Sequence, residues 1–159
     1  MTGLVVMYEE ESRRIQEICD RLHLDANARI VFEIDKNGHV IAGSGQSESL
    51  DSTSLASLVA GEIAATGGLA KLMGENEFST LYHEGSKENV HISIVAERLI
   101  LVVIFDSRSS LGLVRLRVKK CGEQLSQVID ALNRRSEQSG KQTPFGEITD
   151  EDIDKLFSV

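Results

Sequence analysis

The hydrophobic positions of this chain change period several times, and each change marks an element. Over residues 8–23, Tyr8, Ile15, Ile18, Cys19 and Leu22 fall on one arc at helical spacing. Glu9, Glu10, Glu11, Arg13 and Arg14 take the remaining arc, which predicts an amphipathic helix. In "RIVFEIDKNGHVIAGSG" the period becomes two. Ile30, Phe32 and Ile34 alternate with Val31 and Glu33, "DKNG" turns, and "HVIA" resumes extended. This is a β-hairpin whose tight turn uses Gly38 for a positive φ.

A second helix opens at Asp51 or Ser52 as its cap and stops near residue 73, with Gly74 just past its end. "TLYHEGS", "NVHISIVAE" and "LILVVIFD" read as three strands joined by short turns. The last is apolar on both faces, which places it centrally in a sheet. Residues 109–135 form a long helix with Leu111, Val114, Val118, Cys121, Leu125, Val128, Ile129 and Leu132 on one face. "SEQSGKQTPFGE" is a polar linker holding Pro144, and "TDEDIDKLF" is a short acidic helix.

The order is α-β-β-α-β-β-β-α plus a tail. Short hairpin links make the sheet antiparallel. The expected fold class is an α/β sandwich around a central five-stranded antiparallel sheet. The first and third helices cover one face and the middle helix the other. Residues 1–136 form the domain, and residues 137–159 a flexible linker and a short acidic amphipathic helix.

Charge narrows the function. The net charge is −8, which argues against sequence-independent nucleic-acid binding and against docking on anionic lipid. Residues 147–159 hold Glu147, Asp150, Glu151, Asp152 and Asp154 against Lys155, a net −4, so the body is only mildly acidic. The longest apolar run, "LILVVIF" at 99–105, is too short to span a bilayer. No basic segment precedes "LVVM" as in a signal peptide, so the plain expectation is a cytosolic protein without membrane insertion. Cys19 and Cys121 are too few for a disulfide framework, and both sit on apolar helix faces as buried inert thiols.

Catalytic signatures are missing. There is no Walker-type phosphate loop and no G-x-S-x-G elbow. "GSGQSE" at 43–48 lacks the third glycine of a dinucleotide loop and does not enter a parallel βαβ unit. His83 and His91, on adjacent strands, would make a metal pair only if they faced each other, and no third ligand stands at sensible spacing. The expectation is no catalytic residue, no metal and no cofactor.

The middle helix is the unusual element. "SLASLVAGEIAATGGLAKLMGE" carries interior Gly61, Gly67 and Gly68. Each costs a helix roughly 1 kcal/mol against alanine, about 3 kcal/mol for the three. Stepping at 100° per residue gathers Leu55, Leu58, Val59, Leu69, Leu72 and Met73 on one arc, read as the core face. Glu62 and Thr66 then fall near its centre without explanation. The opposite side holds Ser57, Ala60, Gly61, Ala64, Gly68 and Lys71, almost bare of side chains. Such a face admits another backbone closely. It faces either a neighbouring helix of the same domain or a partner, and the shortage of helices on that side favours the partner.

The run "LASLVAGEIAATGGLAKLMGENEF", with "DANARIVFEIDKNGHVIA" before it and "LVVIFDSRSSLGLVRLRVKK" after it, resembles the roadblock family of dynein-light-chain-like GTPase regulators. The resemblance covers essentially the whole chain. It implies a homodimer whose edge strands, near 80–86, pair into one continuous sheet. The middle helices would lie side by side as a platform for one Ras-like small GTPase, with Ala64 and Gly68 as contact positions. It further implies a cytoplasmic GTPase-activating protein of bacterial cell polarity and gliding motility, concentrated at a cell pole. That protein is itself no enzyme: it holds the GTPase's switch loops in productive geometry without an arginine finger. The sequence fits, because no arginine lies between 30 and 97, although Arg13, Arg14 and Arg108 stand elsewhere.

The tail is the second candidate element. Thr149 can cap a helix with Ile153, Leu156 and Phe157 along one side and acids on the rest. Such a short helix is marginal alone but can dock its apolar side on a partner. By the resemblance that partner is the GTPase; otherwise the tail is a solubilising extension. Two alternatives remain open to the sequence. One is a roadblock-type scaffold or adaptor that binds a GTPase or motor without accelerating hydrolysis. The other is a ligand-sensing or enzymatic α/β domain, which needs a polar-lined pocket.

Overall fold

The structure, a computed structural model, describes residues 9–45 and 50–138. It contains α1 (Glu9–Asp25), β1 (Ile30–Asp35), β2 (Val40–Gly45), α2 (Ser52–Leu72), β3 (Thr80–Glu84), β4 (Asn89–Val95), β5 (Leu99–Phe105) and α3 (Leu111–Gln138). The five strands form one antiparallel sheet in the order β2-β1-β5-β4-β3. The fold class and element order read from the periodicity are those observed. Tyr8 and the tail segment 149–157 lie outside the described residues.

β5 sits in the middle, and all seven of its residues are buried. Its alternation feeds two cores. Leu99, Leu101, Val103 and Phe105 join Ile15, Cys19 and Leu22 of α1 and Val114, Cys121, Leu125 and Val128 of α3. Ile100, Val102 and Ile104 join Ile30, Phe32 and Ile34 of β1, Ile92 of β4, and Ala56 and Val59 of α2. Helices α1 and α3 therefore cover one face together, and among the described residues α2 is the one helix on the other. Full burial of each aliphatic side chain contributes about 1.5–3 kcal/mol, so the two cores dominate the stability.

Local chemistry sets the boundaries. The β1–β2 turn is organised by Asp35, whose carboxylate accepts from the backbone N–H of Asn37 and of His39, both at 2.9 Å. Gly38 there has φ +88°, and a Cβ on it would stand 3.3 Å from Cα of Ser57. The turn thus leans directly on the α2 backbone. Asp51 caps α2, accepting from the Ser54 N–H at 3.2 Å and the Ser54 hydroxyl at 2.6 Å. At the other end Gly74, φ +80°, closes a Schellman motif: Glu75 N–H donates to the Ala70 carbonyl at 2.8 Å and Gly74 N–H to that of Lys71 at 3.2 Å. Helix α3 runs past the expected end at 135, so Ser136, Glu137 and Gln138, read as linker, continue it.

By length and composition, α2 is apolar enough to cross a bilayer. The sequence reading looked for an unbroken apolar run and so passed it over. Here the helix lies along the sheet, with Ala56, Val59 and Ala70 buried against it.

Two buried acids on the α1/α3 side are treated differently. Glu11 is 5% exposed, and both its oxygens accept from Arg135 Nη1, at 2.9 and 2.8 Å, tying the start of α1 to the end of α3. Glu33, on β1, is wholly buried, and neither carboxylate oxygen has a partner among the described residues. Burial pushes its carboxyl up to about 8. Burial, and secondarily Glu33, pushes the Cys121 thiol up to about 12 and raises Cys19 as well. Cys19 Sγ lies 3.7 Å from the Val31 carbonyl. Both thiols are buried, and their raised pKa values leave the nucleophilic thiolate scarce.

Glu33 generates a pH prediction. Its folded pKa lies above its unfolded one, so the folded state binds the proton more tightly. Its contribution to stability is full below about 4.5 and is lost as pH rises towards about 8. Glu33→Gln removes this slope. Urea midpoints of the wild type and the variant, compared at about pH 5 and about pH 8, should diverge in the variant's favour as pH rises. Parallel midpoints would show that Glu33 is ionised in the folded protein.

Candidate functional site

Helix α2 is apolar all round, and its orientation on the sheet is the main correction to the sequence reading. The residues facing the sheet are Ala56, Val59 and Ala70, all buried, with Leu55, Ile63 and Thr66 half-buried beside them. Leu58, Leu69, Leu72 and Met73, expected in the core, face outwards and are 73%, 51%, 88% and 63% exposed. The expected core arc was therefore rotated by roughly a quarter turn. The cause is physical. The helix has two apolar arcs separated by polar residues, and periodicity does not say which arc meets the sheet. The larger side chains suggested the wrong one. Alanines at 56 and 70 are what let the helix lie close to the strands.

The expected partner stripe keeps its place. Ser57, Gly61, Ala64, Gly68 and Lys71 are exposed, and Ala60 is half-buried at the edge of the sheet-facing side. A Cβ added at Gly61, Gly67 or Gly68 would meet nothing within 4 Å beyond the helix itself. Among the described residues, no neighbouring helix uses these glycines. What the sequence reading missed is that the stripe does not stand alone. Leu58, Leu69, Leu72 and Met73 flank it on the same outer face. Exposed apolar side chains gathered in this way make the outer face of α2 the candidate interaction surface.

Glu62 and Thr66 now have an account. They lie on the flank of α2 that faces the edge strand β3, between the buried and exposed sides. The Glu62 carboxylate pairs with the His83 ring on β3. The Thr66 hydroxyl folds back on its own helix, donating towards the carbonyls of Glu62 at 3.0 Å and Ile63 at 3.2 Å. Both polar groups are satisfied locally, and the Glu62–His83 pair fastens the platform to the sheet edge.

Strand register decides the histidine question. Across β3 and β4, His91 stands opposite Tyr82, and His83 opposite Val90. His83 is therefore on the α2 side and His91 on the α3 side, so the two cannot share a metal. Among the described residues no group of three His, Cys, Asp or Glu side chains could hold one.

The arginines are distributed unevenly between the layers. Arg13 and Arg14 belong to α1, across the sheet from α2. Arg108 lies in the β5–α3 connection, its guanidinium on the Asp106 carboxylate with Nη2 at 3.0 Å from Oδ2. The contact with Asp106 raises the Arg108 pKa further and lowers that of Asp106. Lys71 is the only cation of α2. Ile153, Leu156 and Phe157, the tail's candidate contacts, lie outside the described residues.

The Roadblock/LC7 domain model matches residues 14–105 of this chain. Among solved structures, Myxococcus xanthus MglB is 57% identical, with 80% of this chain and 96% of that one covered at a TM-score of 0.76. The gliding protein MglB of Thermus thermophilus is 31% identical, covering 81% and 98%, at 0.74. An MglB with a tetrameric arrangement is 30% identical, covering 82% and 98%, also at 0.74. Comparison with curated proteins gave no match. A three-layer sandwich with α2 alone on one face, a matching domain model and near-complete coverage of these structures agree: the chain belongs to the Roadblock/LC7 domain family, with its likeness to MglB.

Proposed function

We propose that this protein is a roadblock-type regulator of a small Ras-like GTPase, MglA-like in kind, and that it activates GTP hydrolysis as a homodimer. One observation carries the reading: the outer face of α2 joins a bare glycine and alanine stripe to exposed Leu58, Leu69, Leu72 and Met73. Glycines that cost a helix roughly 1 kcal/mol each, and that meet nothing beyond their own helix among the described residues, make sense where another surface comes close. The likeness to MglB supports a GTPase as that surface. Edge strand β3 supports the dimer, since its outer side has no strand neighbour in this sheet. Two copies joined there would bring their α2 helices side by side into one platform.

The mechanism follows from what the face lacks. It offers no arginine and one lysine, so it has no arginine finger to place against a phosphoryl-transfer transition state. A flat seat of this kind acts by positioning. It holds the GTPase's mobile loops, and the GTPase's own catalytic groups, in the reactive arrangement. This separates it from activators that insert an arginine finger. The domain, residues 1–136, would be the platform. The segment 137–159 would add a tethered second contact through Ile153, Leu156 and Phe157, raising affinity by effective concentration. The protein would work in the cytoplasm, at a cell pole, in polarity and gliding motility.

Three measurements test this. First, single-turnover GTP hydrolysis by the partner GTPase should accelerate at saturating protein. Binding without acceleration would make the protein a scaffold or adaptor. Second, Gly68→Ala should raise the free protein's stability by about 1 kcal/mol, whereas Gly68→Arg should abolish GTPase binding and leave the fold intact. Retained binding in Gly68→Arg would remove the stripe from the interface. Third, deletion of 147–159 should change GTPase affinity or nucleotide exchange and leave the dimer unchanged. Identical affinity and kinetics would reduce the tail to a solubilising extension.

A further inference from the structure

On the face of the sheet away from α2, a groove of about 650 Å³ runs between the β3–β4 edge and α3. Its residues come from alternate positions of the strands, Thr80 on β3 with His91 and Ser93 on β4, and from one side of α3. His91 is 2% exposed and Ser93 6%. Neither side chain makes a hydrogen bond with any described residue, and His91 Nδ1 and Ser93 Oγ are buried without partners. Arg115 and Lys119, four residues apart on α3, line the same groove, and both are exposed. Neither has an ion-pair partner among the described residues, in a chain of net charge −8. Glu123 is the one carboxylate on the wall.

Buried polar atoms without partners cost about 1–3 kcal/mol each, so such atoms on the floor of an open groove call for a partner that enters it. Two apolar residues at 91 and 93 would continue the core formed by Val95 without that cost. What the groove presents is hydroxyls, an imidazole and two mobile cations, with donors in excess of acceptors. Burial, and then nearby Arg115, lower the His91 pKa and so favour the neutral imidazole. Neutral imidazole still offers one N–H.

We propose that this groove binds a phosphate or carboxylate group, held by Arg115 and Lys119 from α3 over the Ser93 hydroxyl and His91 ring of β4. Cation-to-oxyanion hydrogen bonds are roughly twice as strong as neutral ones, which offsets the desolvation of the floor. Two sources share this chemistry: a free phosphate, or a carboxylate from the acidic segment 147–159 of the chain itself. Reach permits the second. From Gln138 back to Lys119 along α3 is about 28 Å at 1.5 Å per residue. Residues 139–148, extended, span about 33 Å. The site lies across the sheet from α2, so a phosphate occupant is independent of the GTPase seat, whereas a tail occupant shares the segment 147–159 with the proposed GTPase contact.

The test uses the full chain alone, with the His91 ring signals followed by NMR. Inorganic phosphate is added at ionic strength fixed with chloride. The site predicts a saturable shift of His91 and a rise in its pKa, because a bound anion favours imidazolium. Arg115→Gln with Lys119→Gln should weaken the response at least about tenfold, and both positions are exposed, so the fold is retained. A second arm replaces Asp150, Glu151, Asp152 and Asp154 by their amides. A His91 shift on that replacement, without phosphate, identifies the tail as occupant; a phosphate response that the replacement leaves unchanged identifies the free anion. If His91 follows phosphate no more than chloride and ignores the tail, or if the double variant responds like the wild type, the proposal is overturned.

Discussion

The structure depends on a sheet whose central strand is buried on both faces. β5 has no polar residue among its seven, so neither side can be left to water. Each face must be covered by helix, and the chain has only three helices in its described residues to do it. Two go to one side, tied together by the contact of buried Glu11 with the exposed Arg135. One remains for the other. Everything distinctive about α2 follows from having to shield a five-stranded sheet face by itself.

A lone helix on a sheet has one side in and one side out. The inward side of α2 is built from small and branched residues that bring it close: Ala56, Val59, Ile63 and Ala70. A second helix layer would ordinarily cover the outward side if that side were apolar. None is present among the described residues, and yet the outward side holds four large apolar side chains beside exposed glycines. The fold thus leaves an apolar surface exposed on α2. The helix is held at both ends and on one flank: the Asp51 cap at the start, the Schellman closure at Gly74, and the Glu62–His83 pair beside them.

The opposite layer carries the polar contrasts. Glu33 is buried with no partner among the described residues, and His91 and Ser93 lie beneath α3 with unanswered groups. Glu33 sits in a closed apolar core, so protonation is what relieves it. His91 and Ser93 line a groove open at its rim, so a ligand can. The difference between the two is access, which follows from how far α3 extends over the sheet edge.

Much of this was legible in the sequence. The strands, the hairpin turn at Gly38, the end of α2 at Gly74 and the central place of β5 are local signals: a period of two, a positive φ, a helix stop, a strand apolar on both faces. The layering followed from connection lengths. The candidate stripe at Ser57, Gly61, Ala64 and Gly68 was also visible, because glycine and alanine in a helix are costly or bare wherever the helix sits. Only the tertiary structure decided which of the two apolar arcs of α2 meets the sheet, because a helix that is apolar all round carries no phase in its own pattern. It decided that Glu62 pairs with His83, and that His83 and His91 lie on opposite faces, because register across strands depends on hydrogen bonds between distant residues. It alone placed the unpartnered His91 and Ser93 beneath Arg115 and Lys119. Sequence determines what each residue can do locally; only packing of distant elements determines which groups are left without a partner.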